Sequence, residues 1–471
     1  MDWFVDPSVS AQALNRFFEN MARDHYELHT LQVYQGDRQL LRLAQAPYTC
    51  RDAREIYSLS KMFCSTVVGI AVDQGYLTVE DSVADIFGKT DVSPRFSRMK
   101  VRHVLSMNTG HSRCVAEDMA VADSAVDAFF SVEPDYEPGT HFTYNTGATT
   151  LLCAIIEQVT GRDFFAYACE NLFWPMDMTD ISWSRCKDGT CAGGVGLHVC
   201  SDDIIKLGRM YAAGGLWNGK RILSAAWIRE ASSFVSDNSC NGTPDWRSGY
   251  GYQLWINARD GYRGDGAFGQ LCLILPQHGF VAAVQAVGDD MQTEMDHIFE
   301  LMDHLLEPSE EAGRRFAFLP PAAPEKLPVL DRVYRMDANR ADLQLLRLRS
   351  DGDRVEITFA DKSEVQTLRA ERNAWVDSEL RGTNLVPSLF ENDFSSFREC
   401  SRVSASCLMK DGKLILYLRY RTNPHTEYME LSLAEDSLTI HYEQTQGWYL
   451  RPDWMQTYTG TPVRPGKGEA L

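Results

Sequence analysis

The chain has 471 residues, 44% hydrophobic and 24% charged, enough for roughly two or three domains with a large core and showing no bias toward disorder or a fibrous repeat. Its formal net charge of −19 and pI near 5.0 make a surface that repels phosphate backbones, so nucleic acid is not expected as a partner. The N-terminal MDWFVDPSVS has an acid where a secretory signal carries cations, and no apolar run approaches the ~18 residues of a membrane helix; a cytoplasmic protein without membrane contact is expected.

In chain order, residues 10–24 read as a helix, and TLQVYQGDRQLLRLA as two strands around a Gln35-Gly36-Asp37 turn. From about residue 59, LSKMFCSTVVGIAVDQG is apolar on nearly every side, which predicts a buried helix capped near Gly75. The middle of the chain, to about residue 235, is mostly helical. TTLLCAIIEQVTG and IIKLGRMYAAGG are helices closed by glycine. Strands return in GYGYQLWI and in LCLILPQHGFVAAVQAV, which turns at Pro276–Gly279, and the helix MQTEMDHIFELMDHLL closes the unit near residue 306. Strands at both ends with helices between them predict an α+β fold, one antiparallel sheet flanked by helices. Residues 307–330, rich in proline and charge, read as a linker. Beyond it VEITFA, KLILYLRYR, EYMELSLA and SLTIHYEQ alternate between Asp-Gly and Asn-Pro turns, predicting a C-terminal β-rich domain over 331–471, a barrel or curved sheet. The domain boundaries expected are therefore 1–306, 307–330 and 331–471.

Twelve cysteines in a reducing compartment are expected as free thiols, most of them small core residues. The closest pairs, Cys186/Cys191 and Cys400/Cys407, lack zinc-site spacing, and no nearby histidines complete four ligands; no metal and no cofactor is expected.

The motif that carries chemistry is SxxK. It occurs at Ser58–Lys61, Ser97–Lys100 and Ser184–Lys187, and only Ser58 stands at the start of a long buried helix. Residues i and i+3 share a helix face, so the Ser58 hydroxyl and the Lys61 amine can meet. Burial and the positive helix end both disfavour a charged lysine, leaving an amine able to take the serine proton. The helix end also offers the Ser58 N–H to a developing oxyanion. A second element, EPGTHFTYNTGATTLLCAIIEQVTG, places Tyr144 in a glycine-bounded loop before a helix, where a phenol beside a lysine can act as general base.

With these residues in view, YSLSKMF resembles the nucleophile motif of class C β-lactamases, related esterases and D-aminopeptidases, within the β-lactamase and penicillin-binding-protein superfamily. PGTHFTYNTGATTLL resembles their second motif, and the 86 residues from Ser58 to Tyr144 fit as well. GYLTVEDSVADIF, VRHVLSMNTG and GGVGLHVCSDDIIKLGRMYAAGGLWNGKRILSAAW extend the likeness over roughly residues 10–306. The resemblance implies a serine β-lactamase-like fold, Ser58, Lys61 and Tyr144 as the catalytic residues, and a third motif at Gly264-Asp265-Gly266. There the Ala267 N–H would be the second oxyanion donor and Gly266 would admit the substrate backbone; a plain hairpin loop is the competing reading of that stretch.

Two departures stand out. Thr146 occupies the position where the family usually has asparagine, and Gly264 replaces a cationic or imidazole position that helps hold a substrate carboxylate. The second argues against efficient β-lactam or peptidoglycan hydrolysis. The expectation is therefore hydrolysis of a small ester or amide through an acyl-enzyme on Ser58. Two alternatives stay open: a D-aminopeptidase-like amidase in which Asp265 would meet the amine of a short peptide, and a catalytically idle binding or sensing module. A homodimer is a further open alternative, as is whether the β domain covers the active-site cleft, dimerises or does neither.

Overall fold

The computed structural model describes residues 2–288, 290–310, 323, 325–339, 343–360, 365–381, 400–444 and 456–463. Chain contacts divide the protein into two units, the first built mainly from residues 1–44 and 50–314 and the second mainly from 315–391 and 397–471. Most of the stretch expected as a linker, residues 311–322 and 324, lies outside the described residues.

In the first unit the alternating run Glu27–Gln35 folds back on Arg38–Ala44, and Gln270–Leu275 folds back on Phe280–Val287. The two hairpins, distant in sequence, join where Ala282 lies opposite Val33 and Val284 opposite Leu31. Trp3–Val5 extends one edge, and Tyr262–Gly266 and Trp255–Ile256 extend the other, giving seven antiparallel strands. Every residue of Gln270–Leu275 and Phe280–Val287 is buried, so both faces of the sheet centre are covered. One cover is the helix Ser201–Ala212, which approaches closely because Gly208 has no side chain: a Cβ there would lie 2.7 Å from Val281 Cγ1. The helices Ala11–Arg23 and Met291–His304 are tied together by Asn20 donating to Glu300 (3.0 Å) and by the Asp24–His297 pair (2.8 Å).

The helix expected from residue 59 runs from Ser60 to Asp73 and is buried from Ser60 through Ala71, as its all-round apolarity requires. It is preceded by one 3₁₀ turn, Tyr57–Leu59, so Ser58 sits just outside the α-helix rather than within it. The expected strand GYGYQLWI is reduced to Trp255–Ile256. Gln253 takes φ 62° there, with its side chain donating to Leu105 O (2.8 Å) and accepting from Thr149 Oγ1 (2.7 Å). These tertiary bonds override the strand propensity of the tyrosines around it.

The second unit is a barrel-like ten-stranded sheet. Its strands run antiparallel from neighbour to neighbour, and a short parallel pairing of Glu371 with Ser406 and Arg372 with Cys407 brings the ends together. Leu348, Leu416, Leu431 and Leu438 fill its interior. The Asp411-Gly412 turn has φ 52° and 76°, the left-handed pair that suits the twist of a two-residue hairpin.

Gly69 sits inside the Ser60–Asp73 helix against the Trp227 indole, where a Cβ would fall 2.6 Å from the ring. Alanine gains about 1 kcal/mol of helix propensity and loses about 1–3 kcal/mol to overpacking. Gly69→Ala is expected to lower stability on balance, read as a fall in the urea unfolding midpoint; a rise would show that the indole moves freely.

Candidate active site

Ser58 is placed by a strained residue. Tyr57, which is not a glycine, has φ 48°, a left-handed conformation that costs about 1–3 kcal/mol and persists only where surroundings impose it. The surroundings here are explicit. Ile56 N–H donates to Leu197 O (3.0 Å), Ser60 Oγ donates to Tyr57 O (2.5 Å) and accepts from Leu197 N–H (3.2 Å), and the Tyr57 ring packs edge-on against Phe268 at 5.2 Å. This clamp presents Ser58, half-buried, at the head of the helix.

Lys61 lies one turn further and is 1% exposed. Its Nζ is 2.9 Å from Ser58 Oγ, 3.1 Å from Thr146 Oγ1 and 2.8 Å from Gly194 O. Burial pushes its pKa down to about 7, against the opposing influence of Cys114, Asp265 and Cys64. Near neutrality the amine and the ammonium are therefore comparably populated, the condition for moving a proton to and from Ser58. Gly194 is needed because a Cβ there would lie 2.7 Å from Thr146 Cγ2 and 3.1 Å from Lys61 Nζ.

Tyr144 closes the group. Its ring centroid is 4.7 Å from Lys61 Nζ, and it stacks on Trp255 (5.2 Å, 23°) with its edge toward Tyr250 (6.2 Å). The loop that carries it is fixed by Asn145, the N-cap of the helix Thr146–Thr160, whose Oδ1 accepts from Gly147 N–H and Val115 N–H, both at 3.0 Å. The structure thus brings together Ser58, Lys61, Tyr144 and Thr146; Thr146 serves as an acceptor for Lys61.

Gly264, Asp265 and Gly266 lie on the strand Tyr262–Gly266. A Cβ at Gly264 would meet Leu59 Cδ1 at 2.7 Å and Met62 Cβ at 2.8 Å, and one at Gly266 would meet Leu59 N at 3.0 Å. Both glycines are demanded by the approach of the strand to the Ser58 segment, and no cationic side chain could occupy 264. Ala267 follows at once, opening the turn Ala267–Gly269.

Asp265 faces the other way, on the same side as Arg263. The two form a buried ion pair at 3.0 Å, 0% and 6% exposed at the side chains. Arg263 also donates to Asp245 O (2.9 Å) and Asn257 Oδ1 (2.8 Å) and lies 4.3 Å over the Trp246 ring. Burial raises the Asp265 pKa, while Arg263, a hydrogen bond from Trp255 and the charge on Lys61 oppose the rise. Asp265, read from the sequence as one contact for a substrate amine, is paired with Arg263 in the structure, and through Trp255 it braces the ring that stacks on Tyr144. Sequence reasoning missed this brace, and it missed the Gly194 carbonyl. The paired glycines of CAGGVG were the only signal for the latter, and nothing in the sequence marks the former.

Among the described residues no group of three or more His, Cys, Asp or Glu is arranged to hold a metal ion, and no helix is long and apolar enough to cross a membrane. Cys64 and Cys153 lie 3.8 Å apart as buried free thiols.

Asp265→Asn would leave the Arg263 guanidinium buried without its counter-charge. Breaking such a pair costs about 3–5 kcal/mol. The variant is expected to unfold at a clearly lower urea concentration than the wild type, and an unchanged midpoint would show that the pair is solvated.

Comparison with known proteins places the fold in a family. The Beta-lactamase family profile matches residues 18–305. Penicillin-binding protein 4 of Amycolatopsis lactamdurans is 25% identical over 315 residues, covering 58% of this chain and 81% of its own. 6-Aminohexanoate-dimer hydrolase of Paenarthrobacter ureafaciens is 25% identical over 300 residues, covering 56% of this chain and 74% of its own. The crystal structure of a family VIII carboxylesterase shares the fold with a TM-score of 0.51 at 16% identity, covering 64% of this chain and 99% of that one. The profile spans more than half of the sequence and contains Ser58, Lys61, Tyr144 and the Gly264–Ala267 strand end: the chain belongs to the Beta-lactamase family.

Proposed function

We propose that the protein is a serine hydrolase that cleaves a small ester or amide through an acyl-enzyme on Ser58. The observation that carries this reading is the buried Lys61 amine 2.9 Å from Ser58 Oγ, with a pKa lowered to about 7. As Oγ attacks the carbonyl carbon, its proton passes to Lys61 Nζ. The oxyanion is received by the N–H groups of Ser58 and Ala267, the ester or amide bond breaks, and the leaving group departs with a proton delivered by Lys61 through Tyr144. Water then attacks the acyl carbon, its proton taken by the Tyr144–Lys61 pair, and Ser58 is released. Neither step calls for a metal or a cofactor.

The positions of Arg263, Lys61 and Gly264 bear on whether a substrate carboxylate is held. Arg263 is fully buried and committed to Asp265, Lys61 is 1% exposed, and Gly264 leaves no room for a side chain. A substrate carboxylate therefore finds no cation at position 264 and an Arg263 already paired with Asp265, which disfavours β-lactams and peptidoglycan. A linear amide is the second reading, supported by the likeness to 6-aminohexanoate-dimer hydrolase. Turnover of p-nitrophenyl butyrate against that of a D-aminoacyl p-nitroanilide separates ester from amide preference.

Intact-mass measurement after exposure to a fluorophosphonate tests the nucleophile: one adduct is expected on the wild type and none on Ser58→Ala. No adduct on either protein would remove the catalytic reading and leave a binding or sensing module. Since the neutral amine is the active form, kcat/KM is expected to rise about tenfold per pH unit below the Lys61 pKa of about 7. Lys61→Met is expected to lower kcat by about 10²–10⁴-fold and to abolish that rise; an unchanged acid limb would assign it to another group.

A further inference from the structure

The turn Ala267–Gly269 is backed by an acid that the mechanism does not use. Glu294, on the helix Met291–His304, is 0% exposed, and neither of its carboxyl oxygens has a hydrogen-bond partner. It is pressed against the turn. Gly269 has φ 93°, and a Cβ there would fall 2.5 Å from Glu294 Oε1. Just before the turn, Gly266 abuts the backbone of Leu59, next to Ser58, and within the turn Phe268 packs edge-on against Tyr57. The turn thus touches the Ser58 segment through Phe268 and the Glu294 carboxyl through Gly269.

We propose that Glu294 is a positioning residue for the Ala267–Gly269 turn, which as a neutral acid supports the turn beneath the oxyanion and as a carboxylate opposes the charge the turn must stabilise. The inference rests on the reading of Ser58 as nucleophile with the Ala267 N–H as donor. Its physical basis is the mismatch between the group and its site. A buried carboxylate needs donors or a cation, and this one has neither. Of the charged groups whose influence reaches it, Asp265 carries the same sign and its own cation, Arg263, is spent on it. Tyr26, which Glu294 also influences, gives its hydroxyl proton to Asp290 O instead. His297, one turn along the same helix, is committed to Asp24 at 2.8 Å. Burial and the Asp265 charge together push the Glu294 pKa up to about 8, so the acid is mostly neutral at neutral pH and ionises just above it.

Charge beneath an oxyanion site acts on the transition state more than on the bound substrate, because the oxyanion exists only there. The structure thus gives the activity two limits of different origin. Lys61 must lose its proton, near pH 7, and Glu294 must keep its own, near pH 8.

The test is the rate constant for fluorophosphonate labelling of Ser58, followed by intact mass from about pH 5.5 to about pH 9.5, in the wild type, Glu294→Gln and Glu294→Met. In this reaction the Ser58 Oγ–P bond forms, the P–F bond breaks, fluoride leaves and the serine proton passes to Lys61. In the wild type the rate is expected to rise through about pH 7 and then to fall, by roughly thirty-fold at the alkaline end, one decade per pH unit beyond the Glu294 pKa. In both neutral variants the rise is expected to remain and the fall to disappear, an outcome that a purely structural role would not produce. An alkaline fall that persists in the variants overturns the proposal, as does a wild type without one.

A second readout separates this from the nucleophile reading. The folded protein holds the Glu294 proton up to about pH 8, whereas the unfolded chain releases it near 4.5. Raising the pH across that window therefore costs the wild type stability that the neutral variants keep, and the difference in Tm is expected to widen from about pH 4.5 to about pH 8 and then hold constant. A Tm difference that does not change with pH would show that the acid is not the buried group described, and overturns the proposal on its own. Labelling absent at every pH, together with the expected Tm course, is the failure of the nucleophile reading, and it takes the role of the turn with it.

Discussion

A lysine amine kept from water is the condition on which the rest of the first unit depends. Burying an ammonium is costly, and Lys61 meets the cost partly by tending to the neutral form and partly through three oxygen neighbours. Those neighbours come from three places in the chain: the 3₁₀ turn at Ser58, the first residue of the helix Thr146–Thr160, and the loop at Gly194. Each must arrive to within hydrogen-bond distance, so each is held by further bonds. Asn145 caps its helix, Ser60 ties Tyr57 to Leu197, and Gly194 gives up a side chain to let its carbonyl in.

The second condition is steric. The strand Tyr262–Gly266 reaches the Ser58 segment only because 264 and 266 are glycines, and the same contact forbids a side chain at position 264, where the resemblance implies a cation. The neighbouring arginine cannot take over. Strand alternation turns Arg263 to the opposite face, where Asp265, Asp245 O, Asn257 and Trp246 hold it. The face toward Ser58 is left with Lys61, Tyr144 and the aromatic stack behind Tyr144. The glycine at 264 and the placement of Ser58 against Lys61 are thus parts of one packing arrangement.

Much of this is legible in the amino-acid sequence. The all-round apolarity of residues 62–72 predicts the buried helix, i,i+3 geometry predicts the Ser58–Lys61 contact, and desolvation predicts the direction of the Lys61 pKa. The loop-then-helix pattern around Tyr144 and the Asp411-Gly412 hairpin are equally local signals. The strand expected over GYGYQLWI falls short because Gln253 bonds to Leu105 and Thr149, partners that no local window contains. The Asp265 ion pair escapes sequence reasoning for a related reason: alternation places Arg263 and Asp265 on one face but does not say whether that face looks at substrate or into the core.

The sequence by itself determined the Ser58–Lys61 contact, the buried helix that carries Lys61 and the order of α and β regions. Each of these depends on spacing or apolar periodicity along a single segment. Tertiary structure alone decided the third acceptor of Lys61, the stacking of Trp255 on Tyr144, the pairing of Arg263 with Asp265 and the burial of Glu294 behind the Ala267–Gly269 turn. These depend on which distant segments approach one another, and on how much water is left between them, quantities that only the packed chain fixes.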